Sequence, residues 1–483
     1  MQLRQKEKLS GPPPDLQLIS MKKLSTAQRN DLCATCHAKL IALTSDFKPG
    51  DRFFDHYSVA GLENDDFFPD GRDYRENYTL TGWMMSGCVK AGKLDCLHCH
   101  TSSGRYRFQD NSACLPCHEN RVKNAVAHTH HQSGSPGSLC VSCHMPTTSY
   151  AHMRRTDHSM RPPTPATTIA YKSPNACNQC HTDRDAHWAD RQVRLWHKRD
   201  YQAKILFTAR LISAARKREW NELPAMLAYV QGTDRDEIVA ASMIRLLWNC
   251  PDVRKIPVLI RTLKDPSALV RAAAVDGLSQ HIGPQTLPAL TAAASDDYRL
   301  VRIRAGAALA GLRDPRFEHA VAEYVASLES RPDDYSQHMN LGVFYADRGR
   351  LQEAAGEYET AIRLRPDFAP PLVNASVVYS QLGQPGKAAA ALQRALEIDP
   401  RDSAAHLNMG LLLAEESRIS EAEAELRKAL ELDPVNAVAA YNLSVILSRD
   451  HLGEAIDFAR RAVKSRPDVP KYAEALKFYQ ERR

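Results

Sequence analysis

From about residue 200 to the carboxy terminus, apolar positions recur at helical spacing, and the recurrence itself repeats. Asp234, Asp265 and Asp296 stand 31 apart, as do Val239, Val270 and Val301, and Leu247, Leu278 and Leu309. The stretches DPSALVRAAAVDGL and DDYRLVRIRAGAAL alternate with KIPVLIRTLKD and QTLPALTAAASD, which predicts two amphipathic helices per unit, broken at Asp or Pro. A second period begins near residue 331. Pro332, Pro366, Pro400 and Pro434 are 34 apart and Pro467 follows after 33; Asn340, Asn374, Asn408 and Asn442 keep the period. So do Ala354, Ala388 and Ala422, and Ala361, Ala395 and Ala429, while a one-residue deletion near DHLGEA carries the pattern to Ala455 and Ala462. Small residues let the two helices of a hairpin approach, and proline ends each unit.

The first set of hairpins resembles short bacterial HEAT-like repeats, and the four later units resemble tetratricopeptide repeats. Such solenoids present long concave surfaces with no chemistry of their own, and their usual use is protein–protein docking. No Walker loop, HExxH or GxSxG interrupts them. The reading assigns 200–330 to HEAT-like repeats and 331–483 to tetratricopeptide repeats.

Residues 1–199 look different. They are rich in Gly, Pro, Ser, Asn and His, and stretches such as FKPGDRFFDHY and HQSGSPGSLC read as loops without a conventional core. Eleven of the 12 cysteines and fourteen of the 19 histidines fall here. CxxCH occurs five times: Cys33–Cys36–His37, Cys96–Cys99–His100, Cys114–Cys117–His118, Cys140–Cys143–His144 and Cys177–Cys180–His181. Two cysteines at this spacing can each form a thioether with one vinyl-derived carbon of a porphyrin, and the following histidine then ligates iron from below. Zinc also takes CxxC pairs, but it does not require a histidine directly after every second cysteine. The expectation is five covalent haems c, whose flat apolar faces replace a core. Loop-rich chain of this kind followed by an α-α superhelical solenoid makes the whole mainly α.

Six-coordinate iron needs a second axial ligand. The spare histidines are His56, His98, His128, His130, His131, His152, His158, His187 and His197, which favours bis-histidine ligation over His/Met. The expected distal ligands are His128, His131, His158 and His56. His98 reads as a partly exposed linker residue between two thioether cysteines. His152, His187 and His197 are ligands or hydrogen-bond donors to propionates, and Met153 and Met160 are weaker candidates. Cys88 and Cys250 fit no motif and read as structural thiols. The net charge of +6 divides into +7 before residue 200 and −1 after it. The basic residues are scattered, which fits anionic propionates and excludes a nucleic-acid surface. No run of 18 apolar residues suggests a membrane span.

Residues 31–199 resemble the carboxy-terminal part of multihaem cytochromes c related to octahaem hydroxylamine oxidoreductase and pentahaem nitrite reductase, in a subgroup that ends in tetratricopeptide repeats. The matching stretches are AHTHHQSGSPGSLCVSCHMP, RRTDHSMRPPTP and SPNACNQCHTDRDAHWAD. The resemblance implies closely packed haems passing electrons, with His131 and His158 in distal-ligand positions. It departs in having no CxxCK motif and no identifiable crosslinking tyrosine. Relatives carry a leader and further motifs upstream, so the chain is expected to be a piece of a longer, exported, periplasmic protein. The leading function is electron transfer, with a redox partner protein docking on the solenoid. An alternative is an oxidoreductase acting on a small nitrogen or sulfur oxyanion at an open iron above His37, with Arg72, Tyr74, Arg75 and Tyr78 binding the anion. A third is a scaffold in which haems serve only as core.

Overall fold

The computed structural model describes residues 19–76, 78–92 and 94–482. They form two compact units, one ending at Ser327 and the other starting at Leu328. Among the described residues, strands occur as two antiparallel pairs, Leu40–Ala42 with Tyr57–Val59 and Thr147–Tyr150 with Met153–Thr156. The rest of the regular structure is helical.

In the second unit the proline period is the hairpin period. First helices start at Tyr335, Pro370, Ser403, Ala437 and Pro470, and second helices at Leu351, Pro385, Ile419 and Leu452. Asp334, Asp402 and Asn436 cap first helices by accepting backbone N–H groups, the usual use of a short polar side chain at that position. Ala354, Ala388, Ala422 and Ala455 are all fully buried, as are Ala361, Ala395, Ala429 and Ala462. Each marks a helix–helix contact with room for a methyl group and little more. His338 and His406, 68 residues apart, repeat one bridge: Nδ1 meets Glu357 or Glu425 at 2.6 Å, and Nε2 faces the carbonyl of Pro332 or Pro400. That bridge ties both helices of a hairpin to the preceding loop.

In the first unit the helices Glu237–Leu246, Ala268–Leu278 and Arg299–Leu309 start 31 residues apart. The recurring aspartates have a use. Arg271 donates to its own loop at the Asp265 carbonyl (2.7 Å) and grips Asp296 of the next unit with two bonds of 2.7 Å. One period later Arg302 donates to the Asp296 carbonyl and grips Glu323 in the same way. Forked arginine–carboxylate pairs of this kind fix geometry as well as charge.

Residues 52–67 lie against these helices as a polar seam. Arg216 donates to the carbonyls of Leu62, Asn64 and Phe67, and Ser242 Oγ accepts the Leu62 N–H at 2.7 Å. Arg245 reaches the Val59 carbonyl and Glu63, while Asp55 accepts the Arg299 N–H at 2.8 Å. The motif-bearing segment and the HEAT-like helices thus share one compact unit.

Gly342 and Gly410 sit where a Cβ would meet the Tyr358 ring at 2.5 Å and Leu426 Cγ at 2.7 Å. We predict that Gly342→Val and Gly410→Val each destabilise the repeat unit by about 1–3 kcal/mol through overpacking. Gly356→Ala, with open space at its Cβ, should leave stability unchanged or raise it by up to about 1 kcal/mol. Urea unfolding followed by far-ultraviolet circular dichroism reads both, and equal midpoints for all three variants would refute the close-approach account.

Candidate cofactor-binding site

Each CxxCH motif makes about one helical turn and leaves the helix at its histidine. Helices Thr26–His37 and Cys140–His144 end on that residue, and Cys96–Cys99 and Cys177–Cys180 end one residue before it. Helix Leu115–Lys123 kinks at His118, where φ is −121° and ψ 33°. One turn sets the two thiols, at i and i+3, on a common face. None of the twelve cysteines is paired in a disulfide. Among the described residues, no three of His, Cys, Asp and Glu converge as a zinc centre requires.

Three motif histidines instead face a second histidine. His100 and His158 have ring centroids 6.3 Å apart with planes 25° from parallel. His128 and His144 are 6.3 Å apart at 15°, and His131 and His181 are 6.0 Å apart at 42°. These separations exceed those of rings stacked face to face, such as His130 on Trp196 at 4.4 Å. They match two imidazoles on opposite sides of one metal, where nitrogens about 2 Å from the ion put the centroids roughly 6 Å apart.

Backbone carbonyls aim most of these rings. His158 Nδ1 bonds the Thr156 carbonyl (2.7 Å), His131 Nδ1 that of Thr129 (2.6 Å), and His100 Nδ1 that of Gly104 (2.9 Å). A longer contact of 3.3 Å joins His144 Nδ1 to the Met160 carbonyl, presented by a residue at φ +50°. A proton held on Nδ1 leaves Nε2 bare as a ligand, the arrangement metal-binding histidines use. Burial lowers His158 and His144, and it lowers His128 to about 4, helped by Arg121; all three are neutral at physiological pH. His128 is aimed differently. Arg121 Nη1 lies 2.8 Å from its Nδ1, and a guanidinium only donates, so this contact places the ring proton on Nε2.

The other histidines have separate places. His56 is buried, with Nδ1 on Thr44 Oγ1 at 2.7 Å and near Asp46, and Nε2 3.3 Å from Asp51. Among the described residues it meets the Phe47 and Tyr57 rings and no motif imidazole. Both nitrogens are engaged by oxygens of its own loop, which sets it apart from the distal role expected of it. His98 is not a bare linker: its Nε2 lies 2.8 Å from the Ala113 carbonyl, next to Cys114. His130 stacks on Trp196 at 4.4 Å, His197 meets Tyr201 edge-on, and His187 is exposed. Ala151 and His152, both at positive φ, form the two-residue turn of the second strand pair and leave His152 exposed. Cys250 is buried, whereas Cys88 is half-buried.

The residues proposed to bind an anion divide. Arg72 is 2% exposed, paired with Asp157 at 2.5 Å and Asp70 at 3.7 Å, so its charge is already matched. Asp70 in turn accepts from Thr167 and Ser173, and its carbonyl accepts from Arg161. This buried network ties the 70–73 loop to Asp157, the neighbour of His158. Tyr74 is exposed with Arg75 over its ring, and Tyr78 lies under Arg155. Neither the Arg72 network nor the His98 bridge carries a periodic signal in the sequence.

Family models for HEAT repeats match residues 223–310, and for tetratricopeptide repeats residues 306–367, 375–437 and 407–470. The second model begins ahead of residue 331 and takes in the helix Glu318–Glu329. The chain therefore contains both repeat types. No curated protein matches it. Solved structures similar to it include YrrB, a TPR protein with an unusual peptide-binding site, at 26% identity over 39% of this chain and 97% of that one, with a TM-score of 0.28. A thermophilic TPR protein of Thermus thermophilus, TTC0263, shares 24% identity over 37% and 98% with a TM-score of 0.32. MamA shares 20% over 32% and 92% with a TM-score of 0.28.

Two features of this geometry can be tested directly. A Cβ on Gly137 would collide with the His131 ring. Gly137→Ala should therefore displace that imidazole, read as shifted His131 ring resonances in nuclear magnetic resonance; unchanged resonances refute it. Burial, with Asp157 nearby, raises Asp73 to about 7. Its folded-state value exceeds the unfolded one, so stability falls as pH rises from about 4 to 7 and the buried carboxyl must ionise. Asp73→Asn should flatten the unfolding free energy across that window, and an unchanged slope in urea titrations would refute the assignment.

Proposed function

We propose that this chain is a multihaem c-type cytochrome that moves electrons along five covalently attached haems c, with its helical repeats as the docking surface for a redox partner protein. The observation that carries the reading is the opposition of three motif histidines to three other histidines at 6.0–6.3 Å. The cysteine pairs 33/36, 96/99, 114/117, 140/143 and 177/180 would hold the porphyrins through thioethers. His37, His100, His118, His144 and His181 would ligate from the proximal side. His158, His128 and His131 would ligate from the distal side at the second, fourth and fifth motifs. A haem c bound between two imidazoles supplies a one-electron ferric–ferrous couple of low potential.

Two further features support the reading. At His100, His131, His144 and His158 the bonds from Nδ1 to carbonyls leave Nε2 without a proton, whereas His128 is held at Nδ1 by Arg121. Between residues 101 and 150 the polypeptide buries only Ser138 and Pro146, and Tyr106, Leu115, Val126 and Tyr150 stay exposed, which suits chain wrapped on large apolar discs. The oxyanion oxidoreductase reading is less favoured, because Arg72 is already neutralised by Asp70 and Asp157. Thioether attachment takes place outside the cytoplasmic membrane in bacteria, so the reading implies an exported, periplasmic protein. Among the described residues no helix is long and apolar enough to cross a membrane. Repeat scaffolds suit protein–protein contact, and the redox nature of the partner follows from the haem reading.

Intact mass of the exported protein should exceed the polypeptide mass by five haems, with a Soret band in the visible spectrum. His158→Ala should keep all five and convert one low-spin ferric signal to high spin. A colourless product with the mass of the bare polypeptide would overturn the proposal.

A further inference from the structure

Polar side chains join each attachment motif to the next, and two of the four joints are built alike. Asn30 Oδ1 accepts the Cys96 N–H at 3.2 Å, and its Nδ2 donates to the Leu94 carbonyl at 3.2 Å. Asn111 Oδ1 accepts the Cys140 N–H at 2.8 Å, and its Nδ2 donates to the Ser138 carbonyl at 2.9 Å. Both asparagines stand three residues before the first cysteine of their own motif, Cys33 and Cys114. Both grip the first cysteine of the following motif and the carbonyl two residues ahead of it.

The first cysteines are neighbours within each of these two pairs, Cys33 with Cys96 and Cys114 with Cys140. The two remaining joints differ. His98 reaches the Ala113 carbonyl with one bond, and Gln179 brackets the backbone of Thr147, three residues past His144. Lys93, Gly137 and Pro174 occupy the place before Cys96, Cys140 and Cys177 that asparagine holds before Cys33 and Cys114.

We infer that Asn30 and Asn111 are positioning residues that build two equivalent pairs of attachment sites, the first with the second and the third with the fourth, each pair registered by one carboxamide. The inference rests on the haem reading above and adds to it a residue role and an internal symmetry. A primary amide suits the task because one group both accepts from an N–H and donates to a C=O, as a neighbouring strand would. Thioethers on neighbouring first cysteines would bring their two porphyrins close, so tilting one segment would change the coupling of the pair without breaking either attachment. The first pair has a second brace in the Arg29–Asp95 ion pair at 2.7 Å, whereas Asp110, beside Asn111, caps Ser112 within its own segment. Asn111 therefore carries more of its joint than Asn30 does.

The test uses the exported full-length protein with two readouts, haem count by intact and peptide mass, and the bisignate Soret circular dichroism of closely held chromophores. Asn30→Ala and Asn111→Ala should each keep five haems and lose part of the couplet, with the larger loss in Asn111→Ala, and the double variant should lose nearly all of it. Asn111→Asp keeps the acceptor and lacks the donor, so it should fall between wild type and alanine. Gln179→Ala should leave the couplet in place. Loss of a haem confined to the Cys96 or Cys140 motif also supports the clamp. An unchanged couplet in both alanine variants overturns it, as does a haem loss spread over all motifs, or a five-haem wild type with no couplet. A wild-type chain without haem fails the parent reading instead, and the mass measurement separates the two failures.

Discussion

From residue 101 to residue 150 the chain buries almost nothing of itself, and the bonds that orient its histidines act within that constraint. Ordering such a stretch costs about 1–2 kcal/mol per residue in backbone entropy, on the order of 50 kcal/mol or more in all. A hydrogen bond returns about 1 kcal/mol net, so the bonds that aim His100, His131 and His144 cannot by themselves hold the segment in place. They select an orientation among compact states that some larger buried surface must stabilise. Under the proposed reading that surface is porphyrin, and the protein's own contribution is direction.

The repeats were legible because their signal is periodic. Alanines at a spacing of 34 stand out in the bare run of letters, and each proves fully buried in a hairpin. The conformation of the CxxCH motifs was legible for a similar reason, since one helical turn between two cysteines is a local matter. Which histidine faces which was only partly legible. His128, His131 and His158 stand opposite motif histidines, but nothing in the local sequence couples His158 to His100 across 58 residues rather than to a nearer motif. That pairing is decided by the turn at Ala151–His152 and by Arg72 binding Asp157. His56 stands apart from these pairs, because Thr44, Asp46 and Asp51 engage both its ring nitrogens within one loop. Asn30 and Asn111 left a trace, asparagine three residues ahead of two of the five motifs, too short to notice without the geometry.

The arginines of the HEAT-like helices act at two scales. Arg271 and Arg302 each satisfy a carbonyl of their own turn and a carboxylate of the next unit, so the stack is held by polar contacts at its rim as well as by apolar contacts inside. Arg216 and Arg245 turn the same capacity toward the 52–67 segment, taking carbonyls of its loop and of Val59 at the end of its strand. Leaving such groups without partners costs about 1–3 kcal/mol each.

That seam also limits how the chain can be cut and rejoined. Leu62, Asn64 and Phe67 hand their backbone oxygens to a single guanidinium that lies some 150 residues downstream. A lineage that recombined the front of this chain with an unrelated tail would strand those oxygens. A chimera that keeps this packing would therefore carry the front and the first solenoid together.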